Sequence, residues 1–138
     1  VIDKENEVFT RVAEALGDGV DTDSVYVNWP NTFPHVSIEM ADSYPVYEDG
    51  SLREKFTAMT FEVNIFSNVQ HGRKTECRKL AAIVDETMRR MNFRRTAMSP
   101  IRNSTQTTVY GTDVHDETVY RLTLRYEGVA SDTHFYRR

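Results

Sequence analysis

The sequence predicts a two-layer α+β domain: a mostly antiparallel β-sheet of about four to five strands with two α-helices packed on one face. Three observations predict it. Two segments space their apolar residues by three and four, as one face of a helix requires. Several others alternate apolar and polar residues, the period of a strand with one half-buried face. One strand carries an unbroken apolar face, which a layer of helices must cover. With 138 residues and no linker-like tract, the chain reads as a single domain spanning 1–138.

The elements follow in order. Asp3 or Asn6 caps a first helix whose apolar face is Val8, Phe9, Val12, Ala15 and Leu16. Acidic residues in its opening turns suit the helix dipole, and Gly17-Asp18-Gly19 stops it. Ser24 to Trp29 alternates as a strand and ends at Trp29-Pro30-Asn31. His35 to Ala41 is the next strand, with Val36, Ile38 and Met40 on one face. From 42 to 54 the residues are turn formers and tyrosines around Asp49-Gly50, a tight-turn signal, and form an exposed hairpin or long loop. Tyr44, Val46 and Tyr47 there either make a contact surface or fold back on the core.

Glu54 to Phe66 is the most regular strand. Thr57, Met59, Phe61, Val63 and Ile65 line the face that meets the helices. The long helix follows Gly72, with Cys77, Leu80, Ala81, Val84, Met88 and Met91 inward and most of its charges outward. Asn92 follows the last apolar position, and asparagine tolerates the left-handed conformation that ends a helix. A strand leaves through Phe93 to Arg102. Residues 103–117 read mainly as a polar loop or hairpin arm, with Thr107 to Tyr110 fitting a short strand. Thr118 to Val129 closes the sheet, with Tyr120, Leu122, Leu124 and Tyr126 on one face and Arg121, Arg125 and Glu127 on a wet face or a polar subunit interface.

Charge is unevenly spread. The net charge of −4 combines an acidic stretch at 1–54 with a basic one at 73–102. The basic residues fit a solvated helix face paired with acidic residues of the same or a neighbouring chain; they also fit nucleic-acid contact. A mean hydropathy of −0.56 and the absence of a long apolar run argue against a membrane span. The amino terminus does not resemble a signal peptide. One cysteine, Cys77, excludes an internal disulfide and suits a reducing cytoplasm.

Catalytic signatures are absent: no phosphate loop, no nucleophile elbow and no helical zinc motif. Cys77 lies on an apolar helix face, where a thiol behaves as a small hydrophobe. Asp113, His115, Asp116 and Glu117 are the densest group of metal-ligand types, and they read as a solvated loop. Glu39 and Glu62 are single outward carboxylates that nothing in the sequence brings together. The expectation is no enzyme, no cofactor and no metal.

From Phe56 onward the segments FTAMTFEVNIFSN, KTECRKLAAIVDETMRRMNF, RRTAMSPIRN and TVYRLTLRYEGVAS follow one another in an order that resembles the tail-terminator, or tail-completion, proteins of long-tailed bacteriophages. The acidic first helix and WPNTFPHVSIEM fit the start of such proteins. The polar stretch 104–116 is longer than the short turn expected there. The resemblance implies an α+β subunit of a ring, usually of six copies. That ring caps the tail tube, stops its growth and presents a surface for head joining. The implied partners are further copies of the chain, the major tail tube protein and the head–tail connector or stopper protein, with DNA passing through the lumen. The implied location is the head-proximal end of the virion tail, after assembly in the host cytoplasm. Subunit or tube contacts are then expected at Tyr44, Tyr47, Arg73, Lys74, Arg89, Arg90, Arg94, Arg95, Arg102, Arg121 and Arg125. A head-completion or connector protein of the neck, and a nucleic-acid-binding module using 73–102, are the alternatives.

Overall fold

A computed structural model describes residues 3–46, 56–131 and 135–136. Among these residues two α-helices, a short 3-10 turn at Val69–His71 and seven strands form an α+β fold. Helix α1 spans Glu5–Leu16 and α2 spans Arg73–Arg90. The strands are β1 (Asp21–Asp23), β2 (His35–Val46), β3 (Phe56–Asn68), β4 (Arg94–Met98), β5 (Arg102–Tyr110), β6 (Asp113–Ala130) and β7 (Phe135–Tyr136). Their order across the sheet is β1-β2-β3-β6-β4, with β5 and β7 also paired to β6. All pairs are antiparallel except β1 with β2.

The sheet therefore holds more strands than the four to five expected. Two are very short, and β5 lies in the stretch expected as a loop or arm. Residues 102–118 zip into a hairpin in which Thr107 pairs with Asp116 and Val109 with Val114. Gly111 makes its turn at φ +63°, a left-handed conformation that glycine adopts without steric cost.

Ser24–Trp29 is not a strand. The Asp23 carboxylate takes the Ser24 amide at 2.7 Å, and the Glu39 carboxylate takes the Tyr26 amide at 3.0 Å. Side chains thus satisfy backbone donors that a neighbouring strand would otherwise satisfy. The segment crosses the sheet as a loop, and the strand at this point is the shorter β1.

The apolar face of β3 meets the helices as its alternation requires. Val36, Ile38, Met59, Phe61, Val63, Ile65, Leu122, Leu124 and Tyr126 share one core with Val8, Val12 and Leu16 of α1 and the inner face of α2. Cross-strand register fixes this layer: Ile38 opposes Val63, which opposes Leu124. Each fully buried large apolar side chain contributes roughly 1.5–3 kcal/mol. Asn92 ends α2 at φ +63°, and the Phe93 amide turns back to the Met88 carbonyl at 3.0 Å. The Asn92 amide group also reaches the Phe135 carbonyl at 3.0 Å, tying the helix end to β7.

This turn lays the Phe93 ring over the backbone of Gly128 in β6. A Cβ on Gly128 would sit 2.6 Å from Phe93 Cδ1. Phe93 meets Phe61 edge-on at a centroid distance of 5.4 Å and Phe135 at 5.7 Å. Glycine is thus required by the close approach of a ring rather than by its backbone angles. Gly128→Ala should destabilise the fold by about 1–3 kcal/mol, the usual range for overpacking. Urea unfolding followed by circular dichroism checks this, and a neutral result would show that Phe93 has room to move.

Candidate functional site

Among the described residues no helix covers the second face of the sheet, and the strand pattern sends a set of polar and charged residues to it. His35, Ser37 and Glu39 of β2 oppose Phe66, Asn64 and Glu62 of β3, which oppose Arg121, Thr123 and Arg125 of β6. Each trio forms a row across three strands. Glu39 and Glu62, which the sequence did not bring together, are direct cross-strand partners. Arg125 lies 3.6 Å from Glu62, and Glu39 is occupied by the Tyr26 amide. In the middle row the Thr123 hydroxyl donates to Asn64 Oδ1 at 2.7 Å, and Asn64 Nδ2 donates to Glu62 at 3.2 Å.

A bulge adds a further residue to this face. The register of β2 shifts between Met40 and Asp42. One extra residue in a strand reverses which side chains point to which face. Tyr44 consequently opposes Ala58 on the open face instead of joining Ile38 and Met40 over the core, and it is 45% exposed. This places Tyr44 at the surface, while Tyr47 lies outside the described residues.

The remaining expected contact residues separate into three groups. Arg94 opposes Glu127 on the open face, 3.7 Å from its carboxylate, near Arg125. Arg102 and Arg121 are direct partners at the other end of that face. Arg95 points to the helix face, where it reaches Asp85 at 2.5 Å. Asp85 also accepts the Tyr126 hydroxyl. Burial and the adjacent Asp85 push the Tyr126 hydroxyl well above its ordinary pKa, so it stays a donor. Arg89 and Arg90 both hold Glu86, at 2.7 and 3.0 Å, and keep its carboxyl below the usual range. Arg73 and Lys74 occupy the first turn of α2, and Arg73 has a φ of +56°. A cleft of about 460 Å³ lies between the end of α2 and β4, lined by Asp85, Arg89, Phe93, Arg94, Arg95 and Tyr126 among others.

Cys77 is fully buried, with its sulfur 3.6 Å from the Tyr120 carbonyl. Burial pushes its thiol up to about 11, so little thiolate forms near neutrality. Among the described residues no group of three or more His, Cys, Asp or Glu is placed to hold a metal ion. The acidic residues of 113–117 lie along the hairpin, where Asp116 accepts from Thr107 at 2.6 Å. Among the described residues no helix is long and apolar enough to cross a membrane.

No known protein-family model matches the chain. No curated protein matches it in sequence. One solved chain, which bears only a sequence identifier for a name, aligns over 87% of this chain and 82% of its own, at 19% identity and a TM-score of 0.39.

The sequence did not single out Tyr26 and Trp29 as site residues. As members of an expected strand they had no reason to meet β6. The loop instead carries Tyr26 onto Phe66, at a centroid distance of 6.1 Å, and within 2.6 Å of an Arg121 nitrogen. The available signal was the turn chemistry of Asp23-Ser24 and Trp29-Pro30-Asn31 on either side of the segment.

Asp85→Ala leaves the buried Tyr126 hydroxyl and the Arg95 guanidinium without their shared acceptor. A loss of about 1–3 kcal/mol is expected, read as a lower denaturation midpoint. Asp21 joins the Thr32 hydroxyl at 2.6 Å and His35 Nδ1 at 2.8 Å. The Thr32 hydrogen bond first, and the His35 bond second, lower its pKa on folding. The unfolded chain then binds more protons than the native one as pH falls through the carboxylate range. The contribution is present above the unfolded pKa of ~4 and disappears below it. Asp21→Asn should flatten the acid limb of a stability–pH curve while lowering stability at neutral pH. An unchanged limb would show that the carboxylate is not involved.

Proposed function

We propose that the chain is a structural protein of a bacteriophage tail. Copies of it form a ring of six that caps the tail tube, stops tube polymerisation and presents the surface for head joining. The reading starts from the sequence resemblance described above.

The observation that carries it furthest is the opposite charge of the two open edges of the sheet. At one edge stands β1, with Asp21 and Asp23 and with Asp18 just before it. At the other stands β4, exposed along its whole length and opening on Arg94-Arg95. An edge strand has one row of unpaired backbone donors and acceptors that another chain can take up. Unlike edges that complement each other join head to tail, and head-to-tail contacts close into rings when the rotation closes. The hairpin of β5 and β6 adds an arm of exposed residues, including Val109 and Val114, for which a neighbouring subunit is the natural cover.

A phage lacking this protein should make over-long tails without heads, and the purified protein should cap tail tubes in negative stain. Arg94→Glu, at a side chain that is 76% exposed, should abolish capping with little change in melting temperature, and Asp23→Lys in the same chain should partly restore it. Tails of normal length beside full heads would transfer the protein to the head side of the neck. Capping that is indifferent to the charge at position 94 would exclude the edge-to-edge contact.

A further inference from the structure

A second cleft, of about 610 Å³, opens where the 24–31 loop, the start of α2 and the β5–β6 edge converge. Tyr26, Trp29 and Phe66 line it on one side, and Lys74, Arg102 and Arg121 contribute its charge. The lining residues contain no acidic side chain. Arg102 and Arg121 are direct cross-strand partners, so their side chains leave the same face of the sheet side by side. Like charges in that position repel each other. The Arg121 guanidinium is oriented by the Tyr26 hydroxyl oxygen at 2.6 Å, which does nothing to neutralise it. Among the described residues Lys74, Arg102 and Arg121 have no carboxylate partner. Elsewhere in the chain Arg89, Arg90, Arg94, Arg95 and Arg125 each have one. Among the described residues Arg73, Arg78 and Lys79 of α2 also lack one, but they do not line the cleft; what sets Lys74, Arg102 and Arg121 apart is that they converge in one concave site.

We propose that this cleft binds a phosphate group attached to a planar ring, that is, a nucleotide, either free or as one unit of a single strand. Two arginine forks and an ammonium suit a phosphate, whose non-bridging oxygens accept bidentate bonds from a guanidinium. The amino-terminal end of α2 adds a favourable dipole beside Lys74. Trp29 and Tyr26 supply aromatic surface on which a base can stack. The volume falls in the range of small-ligand sites. The proposal concerns one chain alone, so it stands or falls independently of ring formation.

Trp29 is the only tryptophan in the sequence, so its fluorescence reports on this cleft directly. The purified full chain at low salt is titrated with inorganic phosphate, a nucleoside monophosphate, a short oligothymidylate and a peptide of residues 18–23. Quenching by the nucleotide is expected, with weaker binding of phosphate alone, and with a steep loss on adding salt. Arg102→Gln should weaken nucleotide binding at least tenfold while leaving the fold intact, because it also removes a like-charge contact. Tighter binding of the oligomer than of the monomer would support the polymeric source, and equal binding the free one. No quenching at millimolar nucleotide, quenching by the acidic peptide alone, or nucleotide affinity in both Arg102→Gln and Arg121→Gln unchanged from that of the unsubstituted chain would each overturn the proposal.

Discussion

The register in which β3 lies between β2 and β6 determines what each layer of this molecule contains. β3 is hydrogen-bonded on both edges and largely buried on both faces. A shift of one residue against either neighbour would send Phe61, Val63 and Ile65 to the open face and bring Glu62 and Asn64 under the helices. Several kilocalories per mole of apolar burial oppose that slip. The helices inherit their position from it: α2 follows β3 after a single short turn and packs over β3, β6 and β4, while α1 packs over β2 and β1.

The two faces of β3 are stabilised by different physics. Over the core, contact is between apolar side chains, and α2 supplies Leu80, Val84 and Met88. On the open face, burial falls on polar groups. Asn64 is 3% exposed and finds both Thr123 and Glu62, whereas the Ser37 hydroxyl beside it is buried without a partner. A buried hydroxyl lacking a hydrogen bond destabilises the chain by itself. The 24–31 loop that covers this end of the face is held by polar contacts from Glu39 and Arg121 together with ring contact on Phe66. The face is therefore ordered mainly by directional bonds, and its charged residues stand at fixed separations.

Periodicity conveyed most of the architecture. Both helices, the apolar face of β3 and the inward side of β6 follow from spacing alone, and Asn92 ends α2 in the conformation its side chain tolerates. Three features escaped because their causes are not periodic. Ser24–Trp29 alternates like a strand, but carboxylates from Asp23 and Glu39 claim its amides. Tyr44 changes face because of a one-residue bulge, which alternation cannot register. The acidic-looking stretch at 113–117 joins β6 because its partner strand, β5, is made of threonines and other small polar residues that pair through the backbone. The candidate site was legible as charge but not as grouping. Arg94 and Arg95 are adjacent in sequence and leave opposite faces of β4, while Lys74 and Arg121 are distant in sequence and line one cleft.

The β5–β6 arm also has a dynamic signature. Its backbone bonds join residues close in sequence around Gly111, and residues 102–117 have no buried side chain among those described. Opening the hairpin would expose none of the shared core, so its amides need only a local fluctuation to exchange with solvent. The same strand β6 continues into the body, where Leu122, Leu124 and Tyr126 require far larger openings. Hydrogen exchange along this one strand should therefore pass from fast to slow near Val119, which makes it an internal gauge of whatever docks on the arm.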